Sequence, residues 1–132
     1  RYATYEGATQ ANLNERTLPQ VKDDIKQNPY FYSQPFYWIE KHELDNRISE
    51  KWNQNWLIAF RDVTGAASER TAIFSILPKV AVGNSAPLIL LDLKNKPSLA
   101  TCIFANFCSL IFDFVARQKV GGAHMNFFIV KQ

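Results

Sequence analysis

Residues 99–116 form an 18-residue, almost uninterrupted apolar stretch, and any fold of this chain must dispose of it. Its length just reaches that of a membrane span. It carries Asn106 and Asp113, seven residues apart and therefore on one helical face. A carboxylate near a bilayer centre costs about 2.5–3.5 kcal/mol even on lenient scales. The stretch thus reads as the central helix of a globular core, running from an N-cap at Ser98 to about Gln118. Its sides are nearly all apolar, so sheet and neighbouring elements are expected to cover it, and no membrane association is expected.

The rest of the chain supplies that cover. Residues 1–35 are polar and punctuated by Pro19, Pro29 and Pro35, which predicts an irregular N-terminal arm. Phe36-Tyr37-Trp38-Ile39 reads as a short strand. From Glu40, the apolar residues Leu44, Ile48 and Trp52 recur every four positions among charged ones, the pattern of an amphipathic helix. Residues 56–60 read as a buried strand, 65–69 as a turn, and 71–77 as a strand stopped by Pro78 that 80–82 continue beyond a kink. Residues 83–85 read as a turn, 88–93 as a third strand, and 127–130 as a last one. The expected class is α+β: a mainly antiparallel sheet with one long buried helix and one amphipathic helix, in a domain spanning 36–132.

With 47% apolar and 20% charged residues, the composition supports a real core. The chain starts at Arg1 and its only methionine is Met125, so it reads as a piece of a larger protein, without a secretory signal and of cytoplasmic origin. Cys102 and Cys108 point to different sides of the expected helix. They read as buried reduced thiols rather than a disulfide.

Four motifs carry chemistry. In the tail, Arg117 and Lys119 close a helix, Gly121-Gly122 follow, and then come His124 and Asn126. Such residues suit phosphates and base edges, and they equally suit a helix C-terminus with cations on the dipole and glycine at C′. The second motif pairs Arg61-Asp62-Val63-Thr64, at a strand exit, with Glu69-Arg70-Thr71, at a strand start. If the strands pair, both clusters share one end of the sheet, as DNA-reading arginines or as a local Arg–carboxylate brace. Asn28-Pro29-Tyr30-Phe31 is similar to the Asn-Pro-Pro-Tyr motif of amino-methyltransferases but lacks its second proline, and reads better as a proline turn. Asp92-Leu93-Lys94 is half of a metal-dependent nuclease site, which Asp62 would have to complete. No catalytic triad, phosphate loop or dinucleotide fingerprint is present. The net charge of +3 permits DNA binding without requiring it.

Several stretches together resemble one family. They are residues 1–14, Phe60-Arg61-Asp62-Val63-Thr64, Glu69-Arg70-Thr71, Leu77-Pro78-Lys79-Val80-Ala81-Val82-Gly83, and the closing run from Phe112 to Gln132, which is the most specific. They resemble the C-terminal region of large bacterial adenine-N6 DNA methyltransferases, including those fused to type II restriction functions. The resemblance implies a target-recognition domain in residues 36–132, with double-stranded DNA and the catalytic domain of the same larger protein as partners. It implies S-adenosylmethionine as a cofactor of that parent protein, none in this chain, and no methylation by this chain alone. The expected DNA contacts are Arg61, Thr64, Arg70, Arg117, Lys119, Gly121, Gly122, His124 and Asn126. Two other expectations stand beside it: a structural module bracing the catalytic domain, which would show a large apolar surface patch, and a Mg²⁺-dependent nuclease using Asp62, Asp92 and Lys94.

Overall fold

A computed structural model describes residues 4–92 and 96–132. The chain divides into two compact units, Arg1–Ile39 and Glu40–Gln132. The second is α+β, built on a small antiparallel sheet in the order β2-β1-β3.

In the first unit, α1 (Gln10–Glu15) starts at Thr9, whose hydroxyl accepts from Asn12 N while Asn12 Oδ1 accepts from Thr9 N. This reciprocal cap satisfies two donors that a helix start leaves open. A four-residue helix, α2 (Asp23–Lys26), follows. Asn28 Oδ1 accepts from Tyr30 N and the Asn28 carbonyl from Phe31 N, so Asn28-Pro29-Tyr30-Phe31 is a side-chain-locked turn. Residues 36–39 are not a strand. They are irregular, with Tyr37 and Trp38 largely exposed. Aromatic content alone marks strand propensity, and among the described residues no strand pairs with this segment.

In the second unit, α3 (Lys41–Ile48) is the expected amphipathic helix. It stops one turn before Trp52, which is buried all the same and stacks edge-on against Trp56 at 5.0 Å. β1 (Trp56–Phe60) is the central strand, with β2 (Phe74–Pro78) on one side and β3 (Leu88–Ile89) on the other. Trp56 faces Pro78 and Phe60 faces Phe74 across one ladder, and Ile58 faces Ile89 across the other. Side chains alternate along a strand. Leu57 packs with Ile48 and Trp52, while Phe60 packs with Phe74, Ala116, Val120 and Met125. Both faces of β1 are covered, which explains why it reads as an unbroken apolar run. β2 starts three residues later than expected, includes Pro78, and has no continuation at 80–82; an edge position tolerates that proline. Of the expected strand 88–93, only residues 88–89 are paired, and Leu93 lies outside the described residues.

The apolar stretch departs most from expectation. It forms two helices, α4 (Pro97–Phe107) and α5 (Leu110–Lys119), bent by 59°. Helix α4 is capped at Lys96 with Pro97 in its first turn, not at Ser98. The break falls at Ser109, which is extended (ψ 152°) and whose hydroxyl accepts from Phe112 N at 3.1 Å. A serine that caps the next turn competes with continuing the helix through it. The stretch is not enclosed either: Leu110, Ile111 and Phe114 are 73%, 79% and 65% exposed, and both cysteines are exposed. Phe104, Phe107, Phe112 and Ala116 face the core. No single helix among the described residues is long and apolar enough to cross a membrane.

The expected last strand is a short helix, α6 (Phe127–Val130), capped by the Asn126 side chain accepting from Ile129 N. Helix α5 ends at Val120 in extended geometry, and neither Gly121 nor Gly122 takes a left-handed conformation, so no glycine C′ cap is formed.

Candidate nucleic-acid interface

Immediately after β1, residues 62–64 lie antiparallel to residues 123–125. Val63 bridges His124, Thr64 N donates to the Ala123 carbonyl at 3.0 Å, and Met125 N donates to the Asp62 carbonyl at 2.8 Å. Met125 is fully buried and pins this pair to the core. The chain then turns through 65–71. Thr71 Oγ1 donates to the Gly65 carbonyl, and the buried Thr64 hydroxyl donates to the Thr71 carbonyl at 2.9 Å. The strand pairing thus brings the Arg61-Asp62-Val63-Thr64 and Glu69-Arg70-Thr71 motifs to one end of the sheet.

Asp113 holds this end together. It is 5% exposed, and its Oδ1 accepts from Thr71 N at 2.8 Å and Ala72 N at 2.7 Å. Arg117 Nη2 lies 3.4 Å from Oδ2, and Arg70 Nε lies 3.5 Å from Oδ1. Arg70 Nε is buried and has no hydrogen bond, so its link to Asp113 is ionic. Burial, the strongest influence, pushes the Asp113 carboxyl up. The Ala72 N–H, the Arg117 guanidinium, the Thr71 N–H and the Arg70 charge together outweigh it and hold the carboxyl below its ordinary value. A carboxyl lowered on folding stabilises the fold above its unfolded-state value, near pH 4, and that contribution vanishes as pH falls through the folded value. Wild type should therefore lose more stability than Asp113→Asn in urea unfolding between about pH 7 and pH 3. Equal losses would count against the anchor.

The arginines are positioned by backbone carbonyls. Arg61 Nη2 donates to Thr64 Oγ1 and to the Arg70 carbonyl, both at 3.1 Å. Arg70 Nη2 donates to the carbonyl of Cys108, an acceptor at the end of α4, at 3.1 Å. Arg117 donates to the carbonyls of Ala66, at 3.0 Å, and Glu69, at 2.8 Å. Arg61 is exposed, and the Arg70 and Arg117 side chains are about one-third exposed. The Nε and Nη1 groups of Arg61 make no hydrogen bond to the described residues, so this exposed guanidinium, held through Nη2, keeps donors for a ligand.

His124 stands beside this cluster, with Nδ1 2.6 Å from Asp62 Oδ2. Lys119 Nζ donates to Gln132 Oε1 at 2.8 Å, and Asn126 caps α6. Gly121 and Gly122 are exposed, and a Cβ at either would meet nothing within 4 Å.

Of the nine expected contact residues, Arg61, Thr64 and Arg70 therefore lie in the 61–71 segment, Arg117 reaches it from α5, and His124 joins them through Asp62. Thr64 is buried, with its hydroxyl engaged internally. Sequence reasoning missed Asp113 as the anchor. The signal was present: a lone carboxylate in an apolar stretch, four residues before Arg117 and so on the same helical face. It also missed the pairing of Asp62 with His124. For the nuclease set, Asp62 is engaged by His124, Asp92 is exposed, and Lys94 lies outside the described residues. Among the described residues no three His, Cys, Asp or Glu side chains converge.

At the opposite end of β1 from Arg61 lies an open polar hollow lined by Lys41, Asp45, Ser49, Asn55 and Lys79. Its one strong feature is a 2.7 Å ion pair between Lys79 and Asp45, which no sequence motif announced. Compared with protein families, curated proteins and solved structures, the chain matches none of them.

Proposed function

We propose that this chain is the DNA-recognition module of an adenine-N6 DNA methyltransferase or restriction-modification protein, a target-recognition-like domain that does not catalyse methylation itself. The family resemblance brings this reading. The observation that supports it is the gathering of Arg61, Arg70, Arg117 and His124 at one end of the sheet, on a frame of backbone hydrogen bonds. Pre-oriented guanidinium groups lose less freedom on meeting phosphate or guanine than mobile ones. In the parent protein the module would hold the duplex while the S-adenosylmethionine-dependent domain acts on an extruded adenine, because a stacked base cannot enter a closed pocket.

Lys119 tests this cleanly, since it is exposed and its side chain hydrogen-bonds, among the described residues, to the exposed Gln132 side chain alone. Lys119→Ala should leave stability unchanged, weaken duplex binding equally across sequences, and reduce the log–log salt slope by about one. Unchanged binding and slope would remove Lys119 from the interface. Arg117→Ala is a poorer probe, because it also frees the Ala66 and Glu69 carbonyls and strips Asp113 of a partner.

A second reading, a module that braces a neighbouring catalytic domain, is favoured by one observation. Helix α5 turns an apolar face outward through Leu110, Ile111, Phe114 and Val115. The two readings use different surfaces of the same unit. Replacing Ile111 and Phe114 by serine should spare DNA binding in the first and disrupt assembly with the catalytic domain in the second.

A further inference from the structure

We propose that His124 reads an exocyclic amino group of a base, cytosine N4 or adenine N6, through a lone pair on Nε2. The proposal rests on the DNA-recognition reading and deepens it by assigning one residue a role in base readout.

The argument is one of tautomers. Nδ1 lies 2.6 Å from Asp62 Oδ2, and an ionised carboxylate only accepts hydrogen bonds, so Nδ1 carries the proton. In the neutral ring Nε2 is then an acceptor. The side chain is 60% exposed while that of Asp62 is 19% exposed, so the orienting carboxylate is sheltered and the ring faces solvent.

The backbone on both sides is fixed. Val63 bridges His124, and Asp62 N donates to the Ser85 carbonyl at 3.0 Å. The following residue, Met125, is fully buried. An acceptor held this way cannot bind a phosphate, which offers only acceptors. It matches the amino groups that cytosine and adenine present in the major groove, and it mismatches guanine O6 and thymine O4. Arg61, next in sequence to Asp62 and with Nε and Nη1 making no hydrogen bond to the described residues, has the complementary chemistry for a phosphate or a guanine.

The test is selection of bound duplexes from a randomised pool at about pH 8, above the ordinary imidazole range. Wild type, His124→Ala and Asp62→Asn are compared, each first checked for an unchanged unfolding transition. Wild type should favour adenine or cytosine at one position by roughly threefold to tenfold, the scale of one hydrogen bond. His124→Ala should flatten that position and leave the others. Asp62→Asn should move it toward guanine or thymine, because the amide N–H donates to Nδ1 and leaves the proton on Nε2. Should His124→Ala fail to fold, His124→Gln, which keeps an acceptor oxygen but loses the ring that Asp62 orients, should weaken the preference without inverting it. Identical profiles for wild type and both variants, or wild-type binding without any sequence preference, would overturn the proposal while DNA recognition survives. No wild-type binding at low salt would instead sink the DNA reading itself.

Discussion

Asp113→Ala is expected to destabilise the second unit by about 3–5 kcal/mol, the usual cost of removing one partner from a buried, hydrogen-bonded charge cluster. The truncation leaves the Thr71 and Ala72 N–H groups without their acceptor. It also leaves Arg70 Nε, already without a hydrogen bond, with no counter-charge. Each orphaned buried donor costs about 1–3 kcal/mol. Domains of this size are stable by only about 5–15 kcal/mol, so the loss is a large fraction of the whole. Urea unfolding of wild type and variant measures it, and a difference below about 1 kcal/mol would show that the cluster is ornamental. Asp113→Asn should cost less, because an amide oxygen in the place of Oδ1 still accepts from both N–H groups and only the charge is lost. The functional consequence follows from geometry: the 65–71 turn keeps only the Arg117 bonds to the Ala66 and Glu69 carbonyls as its tie to α5, and Arg70 and Arg117 lose the carboxylate they share.

Phe60→Ala should cost a similar amount, about 3–5 kcal/mol, through a different mechanism. Phe60 is 2% exposed and contacts Phe74 at 5.7 Å and Phe127 at 5.2 Å between ring centroids. Its ring joins the central strand to the helix that Asn126 caps. Removing it leaves a cavity bounded by strand and helices that close-packed neighbours fill only in part. Phe60→Leu keeps most of the volume and should recover more than half of the loss. A thermal melt of the three proteins separates the cavity cost from a general intolerance of substitution. Because Phe60 directly precedes Arg61, Phe60→Ala should also loosen the candidate interface, whereas Leu57→Ala acts on the opposite face of β1 and should not.

The sequence made some elements legible and hid others for identifiable reasons. β1 was legible because a central strand covered on both faces is apolar throughout, and α3 because Leu44, Ile48 and Trp52 keep a four-residue spacing. The break in the apolar stretch was not, since hydropathy is blind to the single hydroxyl of Ser109 that caps α5. The helix at Phe127–Val130 was hidden likewise: four apolar residues have no period, and only the cap at Asn126 distinguishes helix from strand. The exposure of α5 was hidden because an apolar residue implies a partner but does not say that the partner lies in the same chain. At the candidate interface, the paired ends of β1 and β2 were foreseen to gather the two arginine motifs. The role of Asp113 was not: the spacing to Arg117 hinted at a pair, but the two backbone donors that mark a buried anchor come from residues more than forty positions away.

The central claim, DNA recognition by this chain, is tested most directly by measuring duplex binding across a salt series. If Arg61, Arg70, Arg117 and Lys119 each neutralise a phosphate, the log–log slope should be roughly −3 to −4, and affinity should fall roughly a hundredfold between 50 and 200 mM salt. A slope near zero, or no binding at 50 mM, would contradict the claim and leave the apolar face of α5 as the surface by which this module works.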